Sequence, residues 1–423
     1  MVAGAARSVD VAVLGATGFT GKLACEYLSN AYSGSGSYLV AGRSQSKMAK
    51  LRNELGLPED CVRIVDCTDA NAVESLVKEC RVVANFAGTP FADKALPIVE
   101  ACVKHGTHYV DITGEVHLHR ASYDAYHEQA VASKSLIVHS CGYDSVPSDL
   151  GAYLAVKKLE EAHGVKCSEL RTFAGESKGG ISGGTLATAL GALTGKIRGM
   201  PGVDEAKARG VYALDPKGVT AGSDTSDAAG GVGYDARVDT WYMPNIMASV
   251  NAPVVRKSAA LLGYSSTPNG CSYAEVAASG SRLKAIGSTM AMALGGLLLA
   301  FPPLRAALFH FKVLPRPGEG PSLETRNTGF FHTYVLGVGE QPAASTADAP
   351  MVVADFKSGT AGDPGYKATA LMAIEAAMCL ARQRDECEPA GGVLTPASAM
   401  GRALVQRLNR AGMQLSARLV GGK

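Results

Sequence analysis

The stretch Val9-Asp-Val-Ala-Val-Leu-Gly-Ala-Thr-Gly-Phe-Thr-Gly21 decides the fold of the first part of the chain. It opens with a short apolar run typical of a buried strand, and an apolar face at helical spacing follows over Lys22–Leu28. A glycine-rich turn between a strand and a helix is the context of a dinucleotide-binding site. We expect Gly15 to allow the sharp turn, Gly18 to let the backbone approach a pyrophosphate, and Gly21 to let helix and sheet pack closely.

The remaining residues of this turn are assigned to the same cofactor site. They are Ala16, Thr17, Phe19 and Thr20. The glycine spacing is G-x-x-G-x-x-G rather than the commoner G-x-G-x-x-G, so the spacing alone is weak evidence. The alternative is a tight turn that binds nothing, which the strand and helix on either side disfavour.

The second strand, Tyr38–Ala41, indicates which dinucleotide the site prefers. An NAD site usually places an acidic residue at the end of this strand, where it holds the ribose 2′-hydroxyl. This chain has Arg43 and Ser44 there instead, with Lys47 one turn later. Since a guanidinium suits a 2′-phosphate, we expect NADP(H) to be favoured over NAD(H). The alternative is a solvated arginine at a strand end.

Further strands alternate with helices as far as residue 139. The predicted strands are 61–65, 81–85, 108–112 and 136–139. This alternation predicts an α/β fold with a Rossmann-type, doubly wound parallel sheet, which binds ligands at the carboxyl ends of its strands. The strand end at Asn85, Ala87 and Gly88 should therefore lie beside the nicotinamide-side ribose.

Composition excludes several function classes. The 423 residues carry 41 Lys and Arg against 39 Asp and Glu, and this near-neutral balance gives no electrostatic case for nucleic-acid binding. Ten cysteines occur without a Cys-x-x-Cys, and His117 and His119 diverge on a helix, so we expect no metal site. The first residues lack a secretory signal, so we expect an intracellular protein.

The second half reads as a mixed α+β domain followed by helices. Strands are predicted at 170–174, 330–339 and 351–355, an amphipathic helix at 367–380 and a last helix at 400–409. We divide the chain into a nucleotide domain (1–150), a substrate and dimerisation domain (151–362), and C-terminal helices that return to the first domain (363–423). A glycine-rich run after the first of these strands begins a predicted helix. It either binds the substrate or is a flexible helix cap, and its candidate substrate-binding residues are Gly180, Ser182, Gly183, Gly184 and Thr185.

One apolar segment, 285–304, has no charged residue in 20 positions. Three interpretations stay open. It forms a buried helix or a subunit contact, as in a homodimer; it attaches to a lipid surface; or it spans a membrane, for which its length is borderline and its two final prolines unfavourable.

Several segments together resemble the saccharopine dehydrogenase-like oxidoreductases. They are Val13–Gly21, Ala41–Ser44, Asp111–Glu115, Cys141–Gly151, Gly180–Thr185, Gly362–Tyr366 and Gly392–Gly401. The resemblance implies an NAD(P)-dependent oxidoreductase with a Rossmann domain. It is closest to the branch with trans-acting enoyl reductases of glycolipid synthesis and with eukaryotic proteins of lipid droplets and mitochondria. By motif position it assigns cofactor binding to Gly15, Thr17, Gly18, Phe19, Arg43, Asn85 and Gly88.

The resemblance implies hydride transfer from NADPH to an acyl-type C=C or C=N bond, with a small acyl or lipid-linked substrate. Tyr143 is the leading candidate for the proton donor, with Asp144 and Lys178 behind it, and the alternative role of Tyr143 is a packing aromatic. Two rival functions remain. One is a nucleotide-binding scaffold on lipid droplets or membranes, and the other is a saccharopine-cleaving enzyme, although no basic pair suits the carboxylates of saccharopine.

Overall fold

The computed structural model describes residues 7–33, 38–88, 91, 94–180, 190, 197–219, 222–267, 270–311, 314, 320–341 and 348–420. Within these residues the chain forms two seven-stranded sheets with helices packed against both. The predicted α/β class is confirmed.

The strands are three to twelve residues long and are most deeply buried in the first sheet. They are β1 (Val9–Leu14), β2 (Tyr38–Gly42), β3 (Val62–Ile64), β4 (Cys80–Asn85), β5 (His108–Asp111), β6 (Leu136–Val138), β7 (Cys167–Lys178), β8 (Gly233–Asp235), β9 (Thr240–Pro244), β10 (Ser272–Ser279), β11 (Phe330–Gly339), β12 (Met351–Lys357), β13 (Gly392–Leu394) and β14 (Gln414–Leu419).

The helices connect these strands and cover the sheets. They are α1 (Phe19–Ala31), α2 (Gln45–Leu55), α3 (Ala70–Glu79), α4 (Ala95–His105), α5 (Val116–Ser133), α6 (Val146–His163), α7 (Val203–Arg209), α8 (Ala248–Leu262), α9 (Arg282–Ala300), α10 (Pro302–His310), α11 (Leu323–Thr328), α12 (Thr369–Arg382) and α13 (Pro396–Arg410).

The first sheet has the order β13-β6-β5-β4-β1-β2-β3, and all its strand pairs are parallel. The strand order reverses at β1, so a crevice opens beyond the carboxyl ends of β1 and β4. Leu14 pairs with Ala41 on one side and with Asn85 on the other, which places the ends of the three strands side by side. The Rossmann-type sheet is thereby confirmed, with its ligand edge at the glycine-rich turn.

The second sheet is mixed, as predicted for an α+β domain. Its order is β14-β12-β11-β7-β10-β9-β8. The pair of β7 and β10 is parallel, and the other pairs are antiparallel. Helix α6 packs against β11 and β12 of this sheet and against α13, which also packs against β6 of the first sheet.

The C-terminal segment serves both sheets. Helix α12 packs against β1, β4 and β5, and β13 adds a seventh strand to the first sheet, whereas β14 pairs with β12 in the second. Every residue of α12 from Thr369 to Ala381 is buried, so the amphipathic helix predicted over 367–380 has no solvent face. The charge of Glu375 is accommodated because Arg407 Nε lies 2.8 Å from its carboxylate. The expected domain boundaries at residues 150 and 362 stay predictions.

Helices α9 and α10 form an arm attached to β9 and β10. Only Ala285 of α9 is buried. The buried-helix interpretation of 285–304 is therefore wrong for the chain taken by itself. The segment is also not one helix, because α9 ends before Phe301 and the chain restarts as α10 at Pro302. By length and composition, α9 is the one helix of the described chain that could cross a membrane.

Candidate functional site

The glycine-rich turn has a geometry that only glycine permits at two positions. Gly15 has a φ of +87°, and a Cβ built on it would lie 2.5 Å from the backbone N of Ala87. A Cβ on Gly21 would lie 2.2 Å from the carbonyl oxygen of Gly15. The turn is thus pressed against the end of β4, and α1 is pressed against the turn.

The N-terminus of α1 is open to an anion. Gly18 is exposed, no side chain caps the helix, and its first turn holds no acidic residue. The first N–H groups of a helix have no intrahelical acceptor, so these donors are available to a ligand. Thr17 and Thr20 are half-buried at the same rim, and the N–H of buried Ala16 donates to the Ala41 carbonyl at 3.0 Å. These residues fit the diphosphate of a dinucleotide.

A positive corner lies at the end of β2. Arg43 is exposed there, and Ser44 caps α2 by accepting a hydrogen bond from the N–H of Lys47 at 3.4 Å. The corner thus combines a guanidinium, an ammonium and the N-terminus of α2. All three attract a phosphate at the adenosine end of the site.

Asn85 is placed at the crevice, but its side chain points into the protein. It is fully buried; its Nδ2 donates to the Tyr109 hydroxyl at 2.9 Å, and its Oδ1 accepts from the Ala87 N–H at 2.9 Å. Asn85 thus holds the loop that meets the glycine-rich turn, with its amide already bonded. Gly88 follows with a φ of +101°, a backbone conformation that favours glycine.

A buried polar network below the crevice escaped the sequence analysis. The carboxylate of Asp111 accepts from the Tyr109 hydroxyl (3.0 Å), from His139 Nδ1 (2.7 Å) and from the N–H groups of Thr113 (3.1 Å) and Ser140 (3.0 Å). Four donors on one carboxylate tie the ends of β5 and β6 together. An aspartate that ends an apolar strand was the available sequence signal.

Tyr143, the leading candidate for the proton donor, packs into the second sheet. Its ring lies edge-on to Phe331, with ring centroids 4.6 Å apart, and its N–H donates to Thr369 Oγ1 at 3.1 Å. Burial raises the pKa of its hydroxyl far above the usual value, and Thr333 bonds that hydroxyl. The packing role is therefore better supported for Tyr143 than proton donation.

Asp144, which follows β6, and Glu275 on β10 are two carboxyl groups close enough for their charges to interact. Burial raises the pKa of Asp144 to about 6. Glu275 on β10 is buried, accepts from the side-chain amides of Asn245 and Asn251 at 2.8 Å, and also accepts from the Ser148 hydroxyl at 2.9 Å. Burial raises the pKa of Glu275 to about 7, against the opposing effect of these donors, and the charge of Asp144 adds to the rise. Sequence analysis missed Glu275, although an acid inside an apolar strand was a signal.

Two of the other predicted site residues, Lys178 and Gly180, lie at the carboxyl end of β7. Lys178 is exposed, and its Nζ donates to Thr328 Oγ1 at 2.9 Å. A Cβ on Gly180 would lie 2.8 Å from the ring of Pro321, so this glycine marks a close chain contact. The candidates Ser182, Gly183, Gly184 and Thr185 lie outside the described residues.

The two histidines of the His-x-His pattern are buried on α5. His119 Nε2 lies 3.0 Å from the Ser140 hydroxyl, and His117 Nε2 lies 3.7 Å from a carboxylate oxygen of Glu115. Within the described part of the chain, no group of three or more His, Cys, Asp or Glu residues is arranged to hold a metal ion.

Comparisons with known proteins agree with this geometry. Residues 11–138 match the saccharopine dehydrogenase NADP-binding domain. Two curated relatives are trans-acting enoyl reductases. The one from Mycobacterium tuberculosis is 32% identical over 434 residues, with 97% of each chain covered. The one from Mycobacterium leprae is also 32% identical over 434 residues and covers 96% of this chain and 97% of its own.

One solved structure shows the same fold along the whole chain. Apo saccharopine dehydrogenase (L-Glu forming) from Saccharomyces cerevisiae matches with a TM-score of 0.53 and 12% identity, and the match covers 97% of this chain and 99% of the yeast chain. At this identity the likeness concerns the fold alone. The likeness in fold therefore includes the second sheet as well as the nucleotide domain.

Proposed function

We propose that this chain, which belongs to the saccharopine dehydrogenase-like family of oxidoreductases, uses NADPH to reduce a C=C or C=N bond in an acyl, lipid-related substrate. The proposal depends on the N-terminus of α1, which no side chain caps. The turn before it packs closely against the residues that follow β4, because Gly15 has no Cβ. The enoyl reductase name of the full-length relatives supports a 2-enoyl acyl compound as the substrate class.

The residues of this chain hold the dinucleotide at two points. The N–H groups of the first turn of α1 bind the diphosphate, whereas the N–H of Gly18 already donates to the Gly15 carbonyl at 2.9 Å. Arg43 and Lys47 attract the 2′-phosphate, which supports NADPH over NADH. NADPH, when bound, supplies the hydride, and the loop after Asn85 forms the wall beside it.

We propose Asp144 as the proton donor, since its carboxyl group is buried and its charge acts on the neighbouring Glu275. A general acid works best when its pKa lies near the working pH, and burial places the pKa of Asp144 at about 6. Tyr143 is less suitable because its hydroxyl is already bonded inside the second sheet. Lys178 is exposed at the end of β7 and bonded to Thr328.

Cofactor preference tests the first part of the proposal. The binding of NADPH and of NADH is measured by their fluorescence in titrations with the wild type, Arg43→Glu and Lys50→Glu. Lys50→Glu is the control, because Lys50 lies on α2, the helix that follows Arg43. Arg43→Glu should weaken NADPH binding about 10- to 100-fold and leave NADH binding nearly unchanged, as expected for one charge-assisted contact. A wild type that prefers NADH contradicts the argument from β2.

Turnover tests the second part. NADPH oxidation is followed with 2-enoyl thioesters, and with saccharopine plus NADP⁺ in the reverse direction. Because Asp144 must be protonated to donate, kcat/KM should fall as the pH rises above about 6, and Asp144→Asn should lose both the activity and this dependence. Tyr143→Phe should keep most of the activity. The opposite ranking of the two variants makes Tyr143 the donor, and activity on saccharopine alone replaces the proposed substrate class.

The arm supports a second proposal, contact with an anionic lipid surface. Large apolar side chains follow one another along α9 at intervals of three or four residues. They are Leu283, Ile286, Met290, Leu294 and Leu297, each between 38% and 82% exposed. Together they form a stripe on one face of the helix, typical of a helix that lies in a membrane interface. Arg282 and Lys284 begin the helix and Arg305 follows it, which complements anionic head groups.

Vesicle flotation tests this contact. Phosphatidylcholine vesicles with and without phosphatidylserine are mixed with the wild type, with the double variant Leu294→Asp/Leu297→Asp, and with Ser288→Asp on the other face of α9. The wild type and the Ser288 variant should float with the anionic vesicles, and the double variant should not. A wild type that stays in solution with both vesicles contradicts the contact. A dimer that the double variant dissociates shows that a second copy covers the stripe.

The two proposals together distinguish an enzyme from a scaffold. If NADPH binds and vesicle binding depends on the stripe, but no 2-enoyl compound is reduced, the chain is a nucleotide-binding scaffold on lipid surfaces.

A further inference from the structure

Arg326 on α11 lies against the glycine-rich turn, although about 300 residues separate it from that turn in the sequence. Its guanidinium carbon is 5.6 Å from the ring centroid of Phe19, the first residue of α1. Its Nε is buried and has no hydrogen-bond partner in the described part of the chain. A buried guanidinium nitrogen without an acceptor is unusual, because leaving such a donor unsatisfied is costly.

The contact around Phe19 is close and involves three segments. A Cβ on Gly320 would lie 2.4 Å from the Phe19 ring, so the chain before α11 passes directly over that ring. The ring of Tyr366 meets it edge-on, with centroids 5.1 Å apart. The Phe19 ring thus packs against the second half of the chain beside the N-terminus of α1.

Helix α11 is held in this position by bonds at several points. The N–H of Asp363 donates to the Arg326 carbonyl at 2.9 Å, Lys367 Nζ donates to Asn327 Oδ1 at 3.0 Å, and Lys178 Nζ donates to Thr328 Oγ1 at 2.9 Å. These contacts fix the backbone that carries Arg326. Its side chain is therefore pre-positioned beside the turn, which favours a binding role.

The acid nearest to Arg326 is already used elsewhere. The carboxylate of Asp363 accepts from the N–H groups of Tyr366 at 3.2 Å and Lys367 at 3.1 Å, where it caps the turn that precedes α12. No salt bridge to Arg326 occurs among the described residues. The charge of Arg326 acts on the Asp363 carboxyl without forming a salt bridge to it, so the guanidinium still adds a positive charge beside helix donors that themselves attract an anion.

We propose that Arg326 binds the diphosphate of the dinucleotide from across the crevice, together with the N–H groups of α1. The inference rests on the proposed NADPH site and adds to it a cofactor ligand from the second half of the chain. A planar guanidinium can bind two phosphate oxygens at once, which a lysine cannot do. Dinucleotide binding then joins α11 to the first sheet.

The test compares a ligand that has the diphosphate with one that lacks it. Isothermal titration of NADPH and of adenosine 2′-monophosphate is carried out on the wild type, Arg326→Ala, Arg326→Lys and Lys22→Gln. Arg326→Ala should weaken NADPH binding about 10- to 100-fold and leave adenosine 2′-monophosphate binding unchanged, because Arg43 holds the 2′-phosphate. Arg326→Lys should weaken NADPH binding less. Lys22→Gln, which removes a positive charge from α1 that is already paired with Glu54 at 2.6 Å, should change it less than threefold.

Each other outcome overturns the inference. NADPH binding within twofold of the wild type in Arg326→Ala removes Arg326 from the site. An equal loss for both ligands, or an equal effect of Lys22→Gln, shows general electrostatics or misfolding. If Arg326→Ala does not fold, Arg326→Lys decides alone, since undiminished NADPH affinity there excludes two-point phosphate binding. A wild type that binds no dinucleotide ends both this inference and the proposed function, whereas Arg326-dependent binding without turnover ends only the latter.

Discussion

Lys257 on α8 should make the stability of the protein rise with pH. Its side chain is fully buried, and its Nζ has no hydrogen-bond partner among the described residues. The ammonium lies 4.7 Å from the ring centroid of Tyr123. Burial, and then the nearby charge of Arg120, lower the pKa of Lys257 from 10.5 to about 7. Folding therefore favours the neutral amine.

The magnitude follows from this difference in pKa. Between pH 7 and 10.5 the unfolded chain keeps the proton that the folded chain has released, so the free energy of unfolding rises with pH in that window. The group contributes on the order of 5 kcal/mol over the whole window, and about half of that between pH 8 and pH 10. Replacing Lys257 by Met removes the titrating group and keeps an unbranched side chain in the buried position.

The assay is urea unfolding at pH 8, 9 and 10, followed by circular dichroism and by the fluorescence of Trp241, the single tryptophan. Coincident transitions establish that one free energy describes the unfolding. Lys257→Met should be more stable than the wild type at pH 8, and the difference should shrink by about 2.5 kcal/mol by pH 10. Other groups titrate there too, so the difference between the two proteins is the relevant quantity.

The matched control is Lys50→Met, because the side chain of Lys50 is 78% exposed. Its stability should run parallel to that of the wild type across the three pH values. A Lys257→Met curve that is also parallel refutes the reasoning, since Lys257 would then keep its proton in the folded protein.

Two further substitutions test the packing that positions the site. Gly15→Ala should lower the melting temperature and abolish NADPH binding, because its Cβ would lie 2.5 Å from the backbone of Ala87 at a φ of +87°; Gly56→Ala, at a φ of +63° with nothing within 4 Å, should cost only about 1 kcal/mol in the same scanning fluorimetry. Glu375→Gln should destabilise by about 3–5 kcal/mol in urea titrations, since it leaves the buried charge of Arg407 without its partner; a loss below ~1 kcal/mol would show that Arg407 finds another acceptor.

The local pattern of the sequence predicts the first sheet well. The bounds of β1 match the apolar run 9–14, and the positive φ of Gly15 matches the role given to it. Such features depend on neighbours along the chain, which a single sequence contains. The strand β13 was not recognised as a strand because three residues carry no period and its partner β6 lies far away in the sequence.

Long-range pairing accounts for most of what the sequence does not predict. The apolar run 285–304 is compatible with burial or exposure, because composition does not specify what covers a helix. The position of Glu275 at the interface depends on amides from Asn245 and Asn251, and that of Arg326 depends on Phe19. The bonds of Glu275 arise when β9, β10 and α8 come together, and the contact of Arg326 with Phe19 arises only when both halves of the chain are folded.

The nucleotide site is therefore a property of the whole chain rather than of its first domain. The apolar core that contains Val11, Val82 and Val110 of the first sheet also contains the buried face of α12. A chain cut at residue 150 would lack α12 and β13, so it would expose this core on one side of the sheet. It would also lack Arg326 and the aromatic cover of Phe19. The segments from α11 onwards thus complete the core and surround Phe19 beside the glycine-rich turn.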